Sequence, residues 1–216
     1  MSRPDSRCTH RTLLLAVAFA LISWGCSRTP ARVEAPSLDA SAIASGAMTK
    51  YDQNGDGQVG GDELEAAPSL KAALGDLDKD GNGSVSADEI EQRVNAWLES
   101  KLGITTVTCS VTLDGAPLAG AQITFEPEPF LGAAVKPATG TTDASGMAIL
   151  SIPASDLPNP NMSGAQVGLY IVRISKQQAG QESIPAKYNT ASTLGAEVAI
   201  DSAGLREGYP FKLTRK

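Results

Sequence analysis

Two stretches of the chain carry oxygen-bearing side chains at alternate positions and end in a glutamate. Residues 52–63 read Asp-Gln-Asn-Gly-Asp-Gly-Gln-Val-Gly-Gly-Asp-Glu, and residues 78–89 read Asp-Lys-Asp-Gly-Asn-Gly-Ser-Val-Ser-Ala-Asp-Glu. Side chains at the first, third and fifth positions of such a loop can point at one centre. These positions hold Asp52, Asn54, Asp56, Asp78, Asp80 and Asn82. Carboxylate and amide oxygens are the ligands of a hard cation, so the spacing predicts one cation site in each stretch.

The other positions of each stretch suit the same chemistry. Gly57 and Gly83 stand where the chain must turn sharply, in a conformation that glycine adopts at low cost. This turn lets the next backbone carbonyl face the ion, and the last residue closes the shell with both oxygens of its carboxylate. The carbonyls and closing carboxylates belong to Gln58, Ser84, Glu63 and Glu89.

Both stretches match the pattern D-x-[DN]-x-[DN]-G-x₅-E at every fixed position, and they resemble the calcium loops of EF-hand proteins. We call them loop one (Asp52–Glu63) and loop two (Asp78–Glu89). The resemblance implies two Ca²⁺ ions, one in each loop. Val59 and Val85, at the eighth position of each loop, are then predicted to pair in the short ribbon that joins EF-hands.

Apolar residues recur at helical spacing around the loops. The three stripes are Ile43, Ala47, Met48 and Tyr51; Leu70, Leu74 and Leu77; and Ile90, Val94, Trp97 and Leu98. Each stripe predicts an amphipathic helix whose apolar face packs in a core. The loops should therefore be held by helices that form one small helical module.

The connector between the loops, Leu64–Leu77, is short and contains Pro68. Because proline suits the first turn of a helix and not its interior, we predict one helix that ends near Ala67 and a new helix from Pro68. Met48 is the sole methionine of residues 39–102, whereas calcium sensors expose methionine-rich grooves. These features favour a structural role for calcium and leave a sensor as the alternative.

Residues 1–25 have the organisation of an export signal. Arg3, Arg7 and Arg11 form a positive region, and the apolar run Leu13–Trp24 follows. That run is shorter than the ~20 residues that a helix needs to span a bilayer, so a cleaved signal peptide is predicted.

The sequence Gly25-Cys26-Ser27 resembles the lipobox of bacterial lipoproteins. The resemblance implies that Cys26 is lipidated and becomes the mature N-terminus, with residues 26–38 as a spacer. It predicts an exported lipoprotein anchored to a membrane of the bacterial cell envelope. Ordinary cleavage, which would give a secreted protein, is the alternative.

Composition excludes several classes of mechanism. His10 is the only histidine, and Cys109 is the only cysteine after Cys26. A mature chain without this leader has no imidazole for catalysis and no intramolecular disulfide. Residues 39–102 carry 13 acidic and 5 basic side chains, and residues 103–216 carry 9 and 8. The concentrated acidity suits a cation site and argues against binding to nucleic acid.

From Gly103 onwards, alternation replaces helical spacing. The odd positions of Val107–Leu113 are apolar, which predicts a half-buried strand with Cys109 as a small buried residue. Further strands are predicted at residues 121–125, 147–152, 167–175 and 211–213. Short strands with frequent Gly and Pro predict an antiparallel β-sandwich. The predicted fold class is therefore α+β multidomain, with a helical EF-hand pair at 39–102 followed by the sandwich at 103–216.

Four segments of the second half carry a further resemblance. Residues 111–121, 142–146, 170–174 and 184–189 are similar, in order and spacing, to the transthyretin-like or carboxypeptidase-regulatory-like domains of short bacterial lipoproteins, especially planctomycete ones. The resemblance implies a prealbumin-like β-sandwich with no catalytic residues of its own. Asp143, Asp156 and Asp201 are interpreted as turn formers. With no paired carboxylates, phosphate loop or activated nucleophile in the sequence, we expect no enzyme.

The sequence thus predicts an exported calcium-binding protein in which Ca²⁺ has a structural role and the sandwich is an interaction module. Its partner would be an envelope protein or polymer, and nucleic acid is not expected. A calcium sensor with calcium-dependent partner binding is the main alternative. A carrier of small apolar ligands, by analogy with transthyretin, would need a dimer channel that no residue pattern demonstrates.

Overall fold

The helical half of the protein, residues 39–102, surrounds both loops with helices. In the computed structural model, which describes residues 35–157, 159 and 161–215, these are α1 (Ala40–Tyr51), α2 (Gly61–Ala66), α3 (Pro68–Ala72), α4 (Leu74–Leu77) and α5 (Ala87–Ser100). The predicted signal peptide, Cys26 and most of the predicted spacer lie outside the described residues. Among the helices that are described, none is long and apolar enough to cross a bilayer.

Side-chain caps fix where the two long helices begin. The carboxylate of Asp39 accepts a hydrogen bond from the backbone N–H of Ala42 at 3.1 Å at the start of α1. At the start of α5, Ser86 and Glu89 form a capping box, in which the carboxylate of Glu89 accepts from the backbone N–H of Ser86 at 2.8 Å. The closing glutamate of loop two therefore also starts the helix that follows the loop.

The local predictions for this half are confirmed. Pro68 opens α3 in its first turn, directly after α2 ends, where its missing N–H removes no intrahelical hydrogen bond. Val59 pairs with Val85 in a two-stranded antiparallel ribbon of β1 (Gln58–Val59) and β2 (Val85–Ser86). The apolar stripes are buried or packed against the core. These contacts hold the two loops side by side.

The strand half, residues 103–216, contains two four-stranded sheets among its described residues. Its elements are β3 (Val107–Leu113), β4 (Ala116–Pro117), β5 (Gln122–Pro127), β6 (Ala138–Thr141), β7 (Met147–Leu150), β8 (Gly168–Ser175), β9 (Gln177–Gln178), β10 (Gln181–Glu182), β11 (Leu194–Val198), α6 (Ala203–Glu207) and β12 (Tyr209–Leu213). One sheet has the order β11-β8-β5-β6, and the other has the order β12-β3-β4 with β7 also paired to β3. The ring of Phe125 on β5 meets those of Tyr209 and Phe211 on β12, with centroids 5.4 and 6.2 Å apart. The two sheets thus share a core.

The predicted strand at Val107–Leu113 is confirmed, with its odd positions and Cys109 buried. The prediction of purely antiparallel pairing is wrong at one place, because β12 runs parallel to β3. An alternating apolar pattern is the same for either strand direction, so the pattern could not reveal this pairing. The short helix α6, which leads into β12, was also not predicted.

The helical half packs directly on a sheet of the strand half. Helix α3 lies against β11 and β8. At Gly195 on β11, an added Cβ would lie 1.9 Å from the carbonyl oxygen of Pro68. Glycine is therefore required here for the approach of the two backbones.

Candidate metal centre

Loop one gathers three carboxylates around one point. Asp52, Asp56 and Glu63 each offer an oxygen, and these oxygens all lie within 4.8 Å of one another. The backbone N–H groups of Gly55 and Gly57 donate to the two oxygens of Asp52 at 2.7 and 3.0 Å. The loop backbone therefore fixes the orientation of its first carboxylate.

The closing residue of loop one is held in a similar way. Glu63 lies in the first turn of α2, and its carboxylate accepts from the backbone N–H groups of Gln53 at 2.9 Å and Gly60 at 3.2 Å. Gly57 has a φ of 85°, a left-handed conformation that strongly favours glycine. These contacts bring the two ends of loop one together.

Loop two repeats the arrangement. Oxygens of Asp78, Asp80 and Glu89 lie within 4.8 Å of one another. The backbone N–H of Gly83 donates to Asp78 at 2.8 Å, and that of Lys79 donates to Glu89 at 2.8 Å. Gly83 has a φ of 81°. Each loop thus presents three carboxylates, at its first, fifth and last positions in loop one and at its first, third and last positions in loop two.

Hydrogen bonds keep two carboxylates of loop two ionised. The pKa of Asp78 is lowered, chiefly because the backbone N–H of Gly83 stabilises the charged form. Burial acts to raise the pKa of Glu89, but hydrogen bonds from Ser86 and Lys79 outweigh burial, and the pKa is lowered overall. Both carboxylates are therefore ready to hold a cation at neutral pH.

The predicted amide ligands lie beside the carboxylates. The side-chain amide of Asn54 donates to Asp56 at 3.0 Å, and that of Asn82 donates to Asp80 at 2.9 Å. The same Asn82 amide donates to the side-chain oxygen of Gln58 at 3.2 Å. This last bond joins the two loops directly.

The two predicted carbonyl ligands stand where the loops enter the ribbon. Gln58 begins β1, and Ser84 directly precedes β2. An added Cβ at Gly60, the ninth position of loop one, would lie 2.4 Å from the hydroxyl oxygen of Ser84. The absence of a side chain at Gly60 therefore leaves room for loop two.

The donor chemistry fits Ca²⁺. Both clusters consist of Asp and Glu carboxylates, with neither nitrogen nor sulfur among the clustered groups. Oxygen-only donor sets select hard cations, and three carboxylates in one loop suit a large ion that accepts six to eight oxygen ligands. The arrangement can bind and hold a cation.

Sequence reasoning missed buried charges where the two halves meet. Glu128, directly after β5, is fully buried. Its carboxylate accepts from the ammonium of Lys50 at 2.8 Å, the hydroxyl of Tyr51 at 2.9 Å and the hydroxyl of Ser69. A glutamate between Pro127 and Pro129 has no apolar periodicity around it, so the sequence offers no sign of this burial.

A second buried group centres on Arg93 of α5. Its guanidinium donates to Glu197 at 2.6 Å and to both oxygens of Asp201 at 2.8 and 2.9 Å, and it lies 3.7 Å from Asp76. The indole N–H of Trp97 also donates to Glu197, at 2.8 Å. The other oxygen of Glu197 has no hydrogen-bond partner in the part of the chain that the structure describes.

The sequence did contain a signal for this second group. Arg93 lies three residues after Ile90 and four before Trp97, so it is a charged residue within the apolar stripe of α5. Asp201 lies in a turn as predicted, but it is also an ion-pair partner, and Arg93 lowers its pKa. Burial raises the pKa of Glu197.

The comparisons with known proteins support the resemblance of loop two to an EF-hand loop. A family model described as an EF hand matches residues 70–94. This range contains all of loop two, α4 and the first part of α5. The comparison with curated proteins finds no match.

Proposed function

We propose that the protein binds two Ca²⁺ ions, one in each loop, and that the ions have a structural role. The observation that carries the proposal is the pair of carboxylate triads, each with its oxygens within 4.8 Å of one another. The EF-hand match over loop two supports the choice of metal. Loop one has the same spacing and the same backbone hydrogen bonds.

The chain supplies the ligands from five positions of each loop. The side-chain ligands would be Asp52, Asn54, Asp56 and Glu63 in loop one and Asp78, Asp80, Asn82 and Glu89 in loop two. Gln58 and Ser84 would bind through their backbone carbonyls. When bound, Ca²⁺ neutralises the mutual repulsion of each triad. An ion that binds only the folded loops stabilises the fold by mass action.

Packing between the halves supports a structural role over a sensor role. A sensor opens its helix pairs on binding calcium and exposes an apolar groove. Here the helical half already buries its apolar side chains in a core shared with the strand half, and α3 lies against β11 and β8. Opening would have to break these contacts.

The remaining parts of the proposal rest on sequence. The leader and Cys26 support export and a lipid anchor to the bacterial cell envelope, and the four matching segments support a prealbumin-like, non-catalytic strand half that contacts an envelope protein or polymer. Membrane fractionation of cells that express the wild type or Cys26→Ser tests the anchor. The wild type should sediment with membranes and the variant should not; equal release of both would contradict lipidation.

Calorimetric titration of the calcium-depleted protein tests the central claim. The wild type should bind two ions, with dissociation constants of about 10⁻⁴ to 10⁻³ M if the loops resemble other extracellular EF-hands. Glu63→Gln and Glu89→Gln should each lose one ion. Asp88→Asn removes the same charge from an exposed side chain next to Glu89 and should still bind two. No binding at millimolar calcium would refute the proposal.

A further inference from the structure

A carboxylate of the strand half ties together two helices beside loop one. Glu128 accepts hydrogen bonds from Lys50 and Tyr51, the last two residues of α1 before the loop. It also accepts from Ser69 on α3, which follows the loop after α2. One buried carboxylate of the strand half is therefore bound to the helix that enters loop one, α1, and to α3, which packs against the helix that leaves it, α2.

Glu197 has the matching position at loop two. It accepts hydrogen bonds from Arg93 and Trp97 on α5, the helix that leaves loop two. Arg93 in turn lies 3.7 Å from Asp76 on α4, the helix that enters loop two. Through Arg93, Glu197 therefore links the helices on the two sides of loop two.

We propose that Glu128 and Glu197 are positioning residues for calcium, Glu128 for loop one and Glu197 for loop two. The strand half thereby sets the calcium affinity of the helical half. This inference rests on the calcium binding proposed above, and it explains what holds the ligands of each loop in position.

The strand half can affect calcium affinity because the first and last proposed ligands of each loop are attached to helices that it contacts directly or through a neighbouring helix. Asp52 follows the end of α1 and Glu63 lies on α2; Asp78 follows α4 and Glu89 lies on α5. The angle between these helices therefore sets the distance between the ligands. Glu128 holds α1 directly and holds α2 through α3, which packs against it. Partners that hold the helices in place before the ion arrives reduce the loss of freedom on binding, and groups behind the ligands tune metal affinity in this way.

Because both carboxylates are buried, a change in the angle between the helices would be energetically costly. The side chain of Glu128 has no exposed surface, and that of Glu197 is 3% exposed. Movement of the helices away from the sheet would leave each buried charge without its partners, which is strongly unfavourable. The loops are thus held near one arrangement by groups that do not touch the ion.

The test measures each loop separately. In Glu89→Gln only loop one should bind Ca²⁺, and in Glu63→Gln only loop two should. Each of these two proteins is titrated with Ca²⁺ by calorimetry. In these backgrounds Glu128→Gln should weaken calcium binding to loop one by about 10-fold or more and spare loop two, and Glu197→Gln should do the reverse. A general loss of stability would weaken both loops alike, so equal effects on the two loops would overturn the assignment.

A matched control distinguishes the effect of the hydrogen bonds of Glu128 from the effect of losing one negative charge. Glu126→Gln removes the same charge two residues away, where Glu126 pairs with Arg173 inside the strand half, and should leave both affinities unchanged. Glu128→Asp keeps the charge but shortens the side chain, and should weaken loop one. Wild-type affinity in Glu128→Asp, or an equal loss in Glu126→Gln, would assign the effect to charge alone and overturn the proposal.

Folding is checked by far-ultraviolet circular dichroism at saturating calcium. If Glu128→Gln does not fold, Tyr51→Phe removes one hydrogen bond to Glu128 and keeps the ring, and it should weaken loop one several-fold. Unchanged affinity in that variant would contradict the inference. Failure of the wild type to bind calcium would refute the proposed function itself, whereas normal binding in every Glu128 and Glu197 variant would refute only the positioning role.

Discussion

At the scale of single residues, the contact between the halves depends on a position without a side chain. Gly195 lies on β11, where the carbonyl oxygen of Pro68 occupies the space that a Cβ would need. Its φ lies outside the left-handed region, so alanine would be compatible with the strand itself. Any effect of a substitution here therefore reports on the approach of the helical half.

Gly195→Ala should destabilise the protein by about 1–3 kcal/mol, because the added methyl group forces the two backbones apart. Urea denaturation measures this change. Gly75→Ala is the control: Gly75 lies in α4 and a Cβ there meets nothing within 4 Å, so the change should not destabilise the protein and should stabilise it by at most about 1 kcal/mol. Equal stabilities of the two variants would mean that the backbones at Gly195 and Pro68 do not lie in close contact.

At the scale of elements, α5 contributes to loop two and to the contact with the strand half along one face. Its first turn contains Glu89, which closes loop two, and the next turns contain Arg93 and Trp97, which bind Glu197. A single helix therefore joins the proposed calcium ligand Glu89 to the sheet. Arg93 is 4% exposed and its partner Glu197 is equally buried, so the pair is unlike an ordinary surface ion pair.

Arg93→Ala should reduce the free energy of unfolding by about 3–5 kcal/mol, because it leaves Glu197 buried without its counter-charge. Arg215→Ala is the comparison. Arg215 pairs with Asp114 at 2.6 Å on the exposed surface, and its loss should cost at most about 1 kcal/mol. Chemical denaturation of both variants checks the difference; similar small losses would show that the Arg93 pair is effectively solvated.

The same elements show what the sequence could predict. The loop ligands, the break at Pro68 and the Val59–Val85 pair depend on spacing within a few residues, so the pattern predicts them. The bonds of Glu128 and Glu197 join residues 59 to 104 positions apart, and no local period encodes such contacts. Among the charged members of these networks, Arg93 has apolar neighbours in the sequence that indicate its burial.

At the scale of the whole molecule, the buried charges and the shared core make the two halves interdependent. Apolar side chains of both halves belong to one continuous cluster. Unfolding either half alone would expose that surface and leave Glu128 or Arg93 without its partners. The described residues should therefore unfold as one cooperative unit.

Thermal unfolding should show the same midpoint by Trp97 fluorescence, which reports on the helical half, and by far-ultraviolet circular dichroism of the sheets. In a Trp24→Phe chain, Trp97 is the sole tryptophan. Calcium should raise both midpoints equally relative to chelator, because binding to the folded loops stabilises the whole unit. Two separate transitions, with only the fluorescence midpoint responding to calcium, would contradict the coupling.

The parallel pairing of β3 with β12 bears on the order of folding. Between Leu113 and Tyr209 lie 95 residues, and strand pairs so far apart form slowly because a long loop must close first. The elements of the helical half are closer in sequence, so they should form their contacts before the sheet that they pack against is complete. Calcium that binds while the sheet is incomplete would prolong the exposure of the apolar surface that the sheet covers in the folded protein. The calcium concentration during folding should therefore affect the yield of native protein as well as its final stability.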